Sequence, residues 1–302
     1  MIKSVTVTNY LGDSIKLELT KPDLSGFVVT SITGLGAGKA DINTTDMSTN
    51  DGSLYNSARA QQRNIVLSLQ YLFKDTIEDV RHLSYKYFPI KKKVKLLIET
   101  DNRNLEIEGY VESNDPNIFS KEESADISII CPYPFFYSGD GVQTTVFSGV
   151  EPMFEFPFSN ESLNTNLLIM GEIQNRTENV VVYNGDIETG VTITIHAIGE
   201  AGGITIYNVT TREIMAINTD KIARFTGSGI IAGDDIIICT VKGEKSVTLL
   251  RSGKTYNILN CLDRNTDWFE LVKGDNLFAY VAEFGMSNLQ FKIENRLVYE
   301  GV

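Results

Sequence analysis

The chain has 302 residues, 42% of them hydrophobic and 22% charged, which is typical of a folded protein with one large or two ordinary domains. Its formal net charge is −12 and both halves are acidic, which disfavours tight binding to a nucleic-acid backbone. The three cysteines show no paired or metal-ligand spacing and no apolar run has the length of a membrane span, so we expect no disulfide framework, no zinc site and no membrane insertion.

Alternation of apolar and polar residues predicts strands throughout the first half of the chain. Two hairpins are expected, one around Gly12 and Asp13 and one around residues 101–104. In the strand that ends near residue 72, every second side chain is apolar and shares one face. The predicted strands cover residues 3–10, 14–21, 26–34, 65–72, 92–100, 105–114 and 124–137.

One helix is predicted in the first half, within residues 74–89. Asp75 or Thr76 can cap its first turn, and Pro89 ends it. Its apolar residues recur at helical spacing at Ile77, Val80, Leu83 and Tyr87. The lysines at 91–93 that follow are expected to form a solvated turn.

A polar, glycine-containing segment at residues 139–150 predicts a domain boundary, which divides the chain into domains at 1–140 and 141–302. Beyond it, short alternating segments separated by glycine and asparagine turns predict an antiparallel β-sandwich without any helix. Residues 153–160 are among the predicted strands. The fold class is therefore mainly β.

A glycine-bearing stretch, Thr30 to Asp46, resembles the start of a phosphate-binding loop. The first glycine of a Walker A loop would fall at Thr33, and Ala40 stands where a hydroxyl should bind magnesium. The Asn, Thr and Asp residues that follow disfavour the helix that such a loop needs. We therefore expect no nucleotide site, but a flexible loop that leaves a strand.

No catalytic residue, cofactor site or metal ligand can be named. His82 and His196 are isolated, and the acids at 233–235 are expected to be solvated turn residues. An aromatic residue in such a strand is usually part of the core, and Trp268 is also a candidate for stacking against a sugar.

The ordered series of segments resembles the distal tail protein family of long-tailed bacteriophages. In the first half the resemblance rests on GFVVTSITGLGAGKADINTTD, DGSLYNSARAQQRNIVLSLQYL and the closing FSKEESADISIICPYPFFY. In the second half it rests on NGDIETGVTITIHAIG, GDDIIICTVKGEKSV and the terminal RLVYEGV. It covers nearly the whole chain.

The resemblance implies a structural virion protein without enzymatic activity. Family members form hexameric rings through the N-terminal domain, whose lumen continues the tail tube, and carry an outward galectin-like sandwich. The implied partners are the chain itself, the tail tube protein, the tape-measure protein, and tail-tip, lysin or receptor-binding proteins, while DNA passes through the lumen. The implied location is the virion tail tip or baseplate, after assembly in the host cytoplasm.

The segment from Leu35 to Asn56 is longer than a simple connection between two strands needs to be, so we expect contact with a neighbouring subunit to order it. The candidate ring-interface residues are Leu35, Gly36, Lys39, Asp46, Tyr55 and Arg59. The alternative function is a carbohydrate-binding module of a phage tail or of a phage-derived bacteriocin particle. Contractile and non-contractile tails both remain open.

Overall fold

The computed structural model describes residues 1–47, 51–72, 76–120, 122–152 and 171–302. It divides into two compact units. The first contains residues 1–141 together with Val298–Val302, and the second contains Val142–Leu297. The last five residues of the chain thus pack in the first unit, and not with the sandwich that precedes them.

The described part of the first unit contains one α-helix and eleven strands, ten in residues 1–141 and one at the end of the chain. Seven of the strands form one antiparallel sheet in the order β2-β1-β7-β8-β9-β6-β3, and β10 pairs with β8. The elements are β1 (Ile2–Thr8), β2 (Ser14–Glu18), β3 (Phe27–Thr33), β4 (Ala40–Asp46), β5 (Ser53–Ala60), β6 (Arg63–Tyr71), α1 (Ile77–Tyr87), β7 (Lys93–Thr100), β8 (Asn104–Pro116), β9 (Ser124–Cys131) and β10 (Phe136–Ser138).

Both predicted hairpins are confirmed, since β1 pairs with β2 and β7 pairs with β8. Strand β6 lies inside the sheet between β9 and β3, and its alternate side chains are buried, as its sequence pattern predicts. The buried faces of the strands form the core of this unit. In β6 that face consists of Ile65, Leu67, Leu69 and Tyr71.

Helix α1 packs on this core through Val80 and Ser84, which are both buried. The hydroxyl of Tyr71 lies 3.2 Å from Ser84 Oγ, so the helix is hydrogen-bonded to the sheet. Thr76 caps the helix, because its side chain accepts a hydrogen bond from the backbone N–H of Asp79. Asp75, the other predicted cap, lies outside the described residues.

The prediction of a flexible loop after β3 is wrong. Strands β4 and β5 pair with each other over seven positions and form a separate two-stranded hairpin. Residues 48–50, between the two strands in sequence, lie outside the described part of the chain.

The second unit contains two main antiparallel sheets around one core. A six-stranded sheet has the order β11-β24-β16-β19-β20-β21, and a four-stranded sheet has the order β14-β23-β17-β18. The elements are β11 (Gln143–Val146), β12 (Ser148–Pro152), β13 (Gly171–Asn175), β14 (Glu178–Tyr183), β15 (Thr189–Gly190), β16 (Thr192–Ala197), β17 (Ile204–Asn208), β18 (Glu213–Ile217), α2 (Thr219–Thr226), β19 (Asp235–Cys239), β20 (Ser246–Arg251), β21 (Lys254–Asn257), β22 (Glu270–Leu271), β23 (Gly274–Val281) and β24 (Leu289–Asn295).

The expectation that this half needs no helix is wrong, because α2 lies between β18 and β19. The Asn218 side chain caps α2 by accepting from the backbone N–H of Lys221, and Gly227 ends it with φ +85°. The strand predicted at 153–160 lies outside the described residues. Neither helix in the described part of the chain is long and apolar enough to cross a membrane.

Asp234 is buried, contrary to the expectation of a solvated turn. The guanidinium of Arg251 donates to both of its carboxylate oxygens, and Arg251 Nε lies 2.8 Å from Asp234 Oδ1. Burial of this acid is possible because the charge is paired and hydrogen-bonded.

The final strand, β25 (Val298–Tyr299), returns to the first unit and pairs with β10. Tyr299 lies under the guanidinium of Arg103, whose Cζ is 4.6 Å from the ring centre. The chain therefore begins and ends in the same unit.

Candidate assembly site

The glycine-bearing loop between β3 and β4 is organised around the guanidinium of Arg63, the first residue of β6. Arg63 Nη1 donates to the carbonyl oxygens of Gly34, at 2.6 Å, and of Gly36. Arg63 Nε donates to Pro134 O at 2.6 Å, and Nη2 donates to Glu300 O at 2.6 Å. One buried cation thus joins the loop, the β9–β10 turn and the end of the chain.

The surroundings of Arg63 are dry. The side chain is only 5% exposed, and its Cζ lies 4.7 Å from the centre of the Phe136 ring. Burial lowers the pKa of the guanidinium, since desolvation disfavours its charged form. Burial also raises the pKa of the neighbouring Cys131 thiol to about 12.

This arrangement explains why the loop resembles a phosphate site without being one. A phosphate-binding loop directs backbone N–H groups at an anion. Here the carbonyl oxygens of Gly34 and Gly36 point at a cation that belongs to the protein itself. Gly34 has φ +83°, and a Cβ at this position would lie 2.1 Å from Asn64 O, so the first glycine is required by geometry.

The end of the chain closes the same loop. The backbone N–H of Val302 donates to Leu35 O at 3.0 Å, which places the terminal residue beside the loop. At the start of the hairpin, the N–H of Gln61 donates to Lys39 O at 2.8 Å. Hydrogen bonds to other parts of the chain therefore fix residues 34–39, which we call the base of the hairpin of β4 and β5.

Beyond this base the hairpin is exposed on both faces. Every residue of β4 and β5 except Asp41 is exposed. Strand pairing places Ile42 opposite Ala58, Ala40 opposite Ala60 and Thr44 opposite Tyr55, so these side chains share one face. Ile42 is 64% exposed and Tyr55 is 62% exposed. We call this side the apolar face of the hairpin.

The opposite side is mostly polar, and we call it the polar face of the hairpin. It also carries the exposed Leu54, opposite Thr45, while several of its polar side chains bond to one another. Arg59 Nε lies 3.2 Å from Asp41 Oδ2. Asn43 Nδ2 donates to Ser57 Oγ at 3.1 Å. Since these pairs satisfy one another's polar groups in solvent, the polar face is the weaker candidate for a contact.

An isolated two-stranded hairpin is marginally stable in water, and an apolar face on such a hairpin favours a partner surface. The hairpin is therefore the candidate assembly site of the first unit.

The structure distributes the predicted interface residues over the base and the hairpin. Leu35 and Gly36 belong to the base, where their carbonyls are bonded within the chain. The others lie on the hairpin or just before it and are exposed: Lys39, Asp46, Tyr55 and Arg59. Of these four residues, only Tyr55 contributes a large apolar side chain to the apolar face of the hairpin. Neither Arg63 nor Ile42 carries a signal in the sequence, because Ile42 lies in the segment predicted to be a loop and Arg63 lies just before the strand predicted at 65–72.

Trp268, the candidate for stacking against a sugar, is half-buried and packs against the core of the second unit. The ammonium of Lys245 lies 5.0 Å from the centre of its ring, so a lysine covers one ring face. The geometry favours a packing role for this side chain.

His196, an isolated histidine in the sequence, has a carboxylate partner in the structure. His196 Nδ1 lies 2.6 Å from Asp235 Oδ1 across neighbouring strands. Among the residues that the structure describes, no three His, Cys, Asp or Glu side chains lie close enough to hold a metal ion.

Comparison with known proteins identifies the fold. No protein-family model matches the chain. No curated protein sequence matches it either. Among solved structures, the chain is similar to the Dit protein of phage SPP1, described as a paradigm of the hub adsorption apparatus in phages that infect Gram-positive bacteria. The two chains are 13% identical and superpose with a TM-score of 0.66. The similarity covers 97% of this chain and 98% of that one. It is also similar to a chain of the phage P2 baseplate in its activated conformation with Ca, with 12% identity, a TM-score of 0.48 and coverage of 98% of both chains. The chain thus has the mainly β fold of the SPP1 Dit protein over almost its entire length.

Proposed function

We propose that this chain is a structural protein of a phage tail, a distal tail hub that forms a hexameric ring and joins the tail tube to the baseplate or tail tip. The observation that carries the proposal is the likeness to the SPP1 Dit protein, because it extends over 97% of this chain and so includes both units. A shared fold supports a shared role without establishing it.

The hairpin of β4 and β5 supplies the contact that a ring requires. Its apolar face, centred on Ile42 and Tyr55, gains free energy by leaving water. In the proposed ring this face lies against the first unit of the neighbouring subunit. Arg63 holds the base, so that the hairpin leaves each subunit in a fixed direction.

The two units take different tasks in this proposal. The first forms the ring and its lumen, through which DNA and the tape-measure protein pass, and stacks on the tail tube protein. The second contacts tail-tip, lysin or receptor-binding proteins. A net charge of −12 suits a conduit that must not retain DNA. The role is one of assembly, not catalysis.

The carbohydrate-binding alternative receives less support from the geometry. Stacking on a sugar needs an open aromatic face, whereas Trp268 is half-buried and lies beneath Lys245. We therefore do not include sugar binding in the proposed function.

Negative-stain electron microscopy of the purified full chain tests the proposal. Rings with six-fold symmetry and a central opening are the expected result. Monomers that bind cell-wall polysaccharide would contradict it and favour the alternative function.

A further inference from the structure

The two main sheets of the second unit differ on the faces that point away from their shared core. On the six-stranded sheet, the outward side chains of β16 and β24 are mostly polar. Thr194 lies opposite Lys292, and Thr192 lies opposite Glu294. This is the ordinary pattern of a sheet with one face in solvent.

The four-stranded sheet does not follow this pattern, because both of its faces are apolar. Its inward side chains, such as Phe278 and Tyr280, are buried in the core. Its outward positions also carry large apolar side chains, and these are 40–51% exposed: Val180, Val182, Val209, Ile214 and Val281.

Strand pairing makes these outward side chains one continuous surface. Val180 of β14 lies opposite Leu277 of β23. Ala279 of β23 lies opposite Tyr207 of β17, which in turn lies opposite Ile214 of β18. We call this surface the outer face of the four-stranded sheet. An apolar surface that crosses all four strands is a candidate interaction site.

The outer face is too small to form a complete protein interface by itself. Four strands spaced by about 4.8 Å, each contributing about five residues at about 3.4 Å, give a surface on the order of 300 Å². A stable pair of proteins buries about 800 Å² on each partner. The outer face is therefore suited to be one part of a larger contact in an assembly.

Charge argues against a second copy as the occupant of the outer face. The charged side chains that strand register places on this face are both acidic, Glu178 and Asp275. At the end of the face formed by Thr205 and Ala216, the surface continues into a hollow that is also lined by Asp220, Asp263 and Glu283. Two copies would bring these acids together, whereas a partner with basic residues would pair with them.

We propose that the outer face of the four-stranded sheet is the docking surface for a different protein, which covers it with apolar side chains bordered by lysine or arginine. The inference rests on the proposed function for its setting, a tail particle. It goes beyond that function by assigning the contact to one sheet and by stating the chemistry of the partner.

Photo-crosslinking in particle-producing cells tests this inference. The photoreactive residue p-benzoylphenylalanine replaces Val180 or Val281 on the outer face, or Thr194 on the six-stranded sheet as the control. We expect at least tenfold more adduct with a second polypeptide from positions 180 and 281 than from 194. The adduct should map to an apolar segment flanked by Lys or Arg. Combining the probe with Glu178→Gln and Asp275→Asn should lower its yield several-fold.

Four outcomes would overturn the inference: adducts between two copies of this chain, adducts with a polysaccharide, equal yields at all three positions, or no adduct. The proposed function is read separately, from the presence of the chain in purified tail particles. If the chain is present in particles but gives no adduct from the outer face, the inference fails and the proposed function stands.

Discussion

Arg63 Nη2 donates a hydrogen bond of 2.6 Å to the carbonyl oxygen of Glu300, a residue 237 positions later in the chain. The same guanidinium holds the carbonyls of Gly34 and Gly36 at the base of the hairpin. The last residues of the chain and the candidate assembly site are therefore fixed by one side chain.

Replacing Arg63 by Gln should destabilise the first unit by about 3 kcal/mol, because buried carbonyl oxygens would lose their donors. Hydrogen exchange of the β6 amides as a function of urea measures this change, since the single tryptophan, Trp268, lies in the second unit and would not report on the first. Arg59→Gln is the matched control, since Arg59 pairs with Asp41 at the surface and its loss should cost no more than about 0.5 kcal/mol. Equal losses in the two variants would show that Arg63 does not organise the base.

Removing residues Val298–Val302 should loosen the first unit and leave the second unit intact. Val298 and Tyr299 are buried in the first unit, where β25 pairs with β10. Hydrogen exchange should become faster in β10 and in residues 34–38, with unchanged protection in β16 and β23. Removal of Val302 alone serves as the control, because it deletes one hydrogen bond and no strand pairing. Unchanged protection in β10 after the longer deletion would refute the role assigned to the terminal strand.

The glycines of the loop should respond differently to substitution by alanine. Gly34→Ala should cost about 2 kcal/mol or more, since φ is +83° and the new Cβ would meet Asn64 O. Gly36→Ala should be nearly neutral, because no atom lies within 4 Å of its Cβ position. Thermal unfolding of both variants checks the prediction, and similar shifts in Tm would contradict it.

Stability should fall at alkaline pH in a way that depends on Cys131. Burial raises the pKa of this thiol to about 12, whereas an unfolded thiol titrates near pH 8.5. Between these values the unfolded chain binds fewer protons than the folded chain, so the free energy of unfolding decreases as pH rises. The contribution is at most about 1.4 kcal/mol per pH unit.

Urea unfolding at pH 7.5 and at pH 10 measures this dependence. Cys131→Ala should lose less stability between the two pH values than the unmodified chain. Cys239→Ala is the control, since that thiol is partly exposed. If Cys131→Ala shows the same alkaline loss as the unmodified chain, the buried thiol is not its source.

The sequence predicts those parts of the fold in which burial imposes a period. Strand β6 alternates because one face lies in the core, and α1 repeats at helical spacing for the same reason. The hairpin has no buried face, so its run of Thr, Asn, Asp and Ser gives no alternation and resembles a loop.

Helix α2 was missed although its end signals are present. Asn218 and Gly227 are typical capping residues, but eight residues between strands are too few for a clear helical period. The contact between Arg63 and Glu300 has no local signature at all, because it joins residues that lie 237 positions apart in the chain. Within the segment proposed for the ring contact, the sequence does not show which side of the hairpin is apolar, because strand pairing defines that side.

The central claim is that this chain forms a ring through the apolar face of its hairpin, and light scattering after size-exclusion chromatography tests it most directly. The full chain is compared with Ile42→Asp, on the apolar face, and with Asn43→Asp, the neighbouring position on the polar face. We predict a mass six times that of one chain for the unmodified protein and for Asn43→Asp, and the mass of a single chain for Ile42→Asp. A single-chain mass for the unmodified protein, or a six-fold mass that survives Ile42→Asp, would contradict the account.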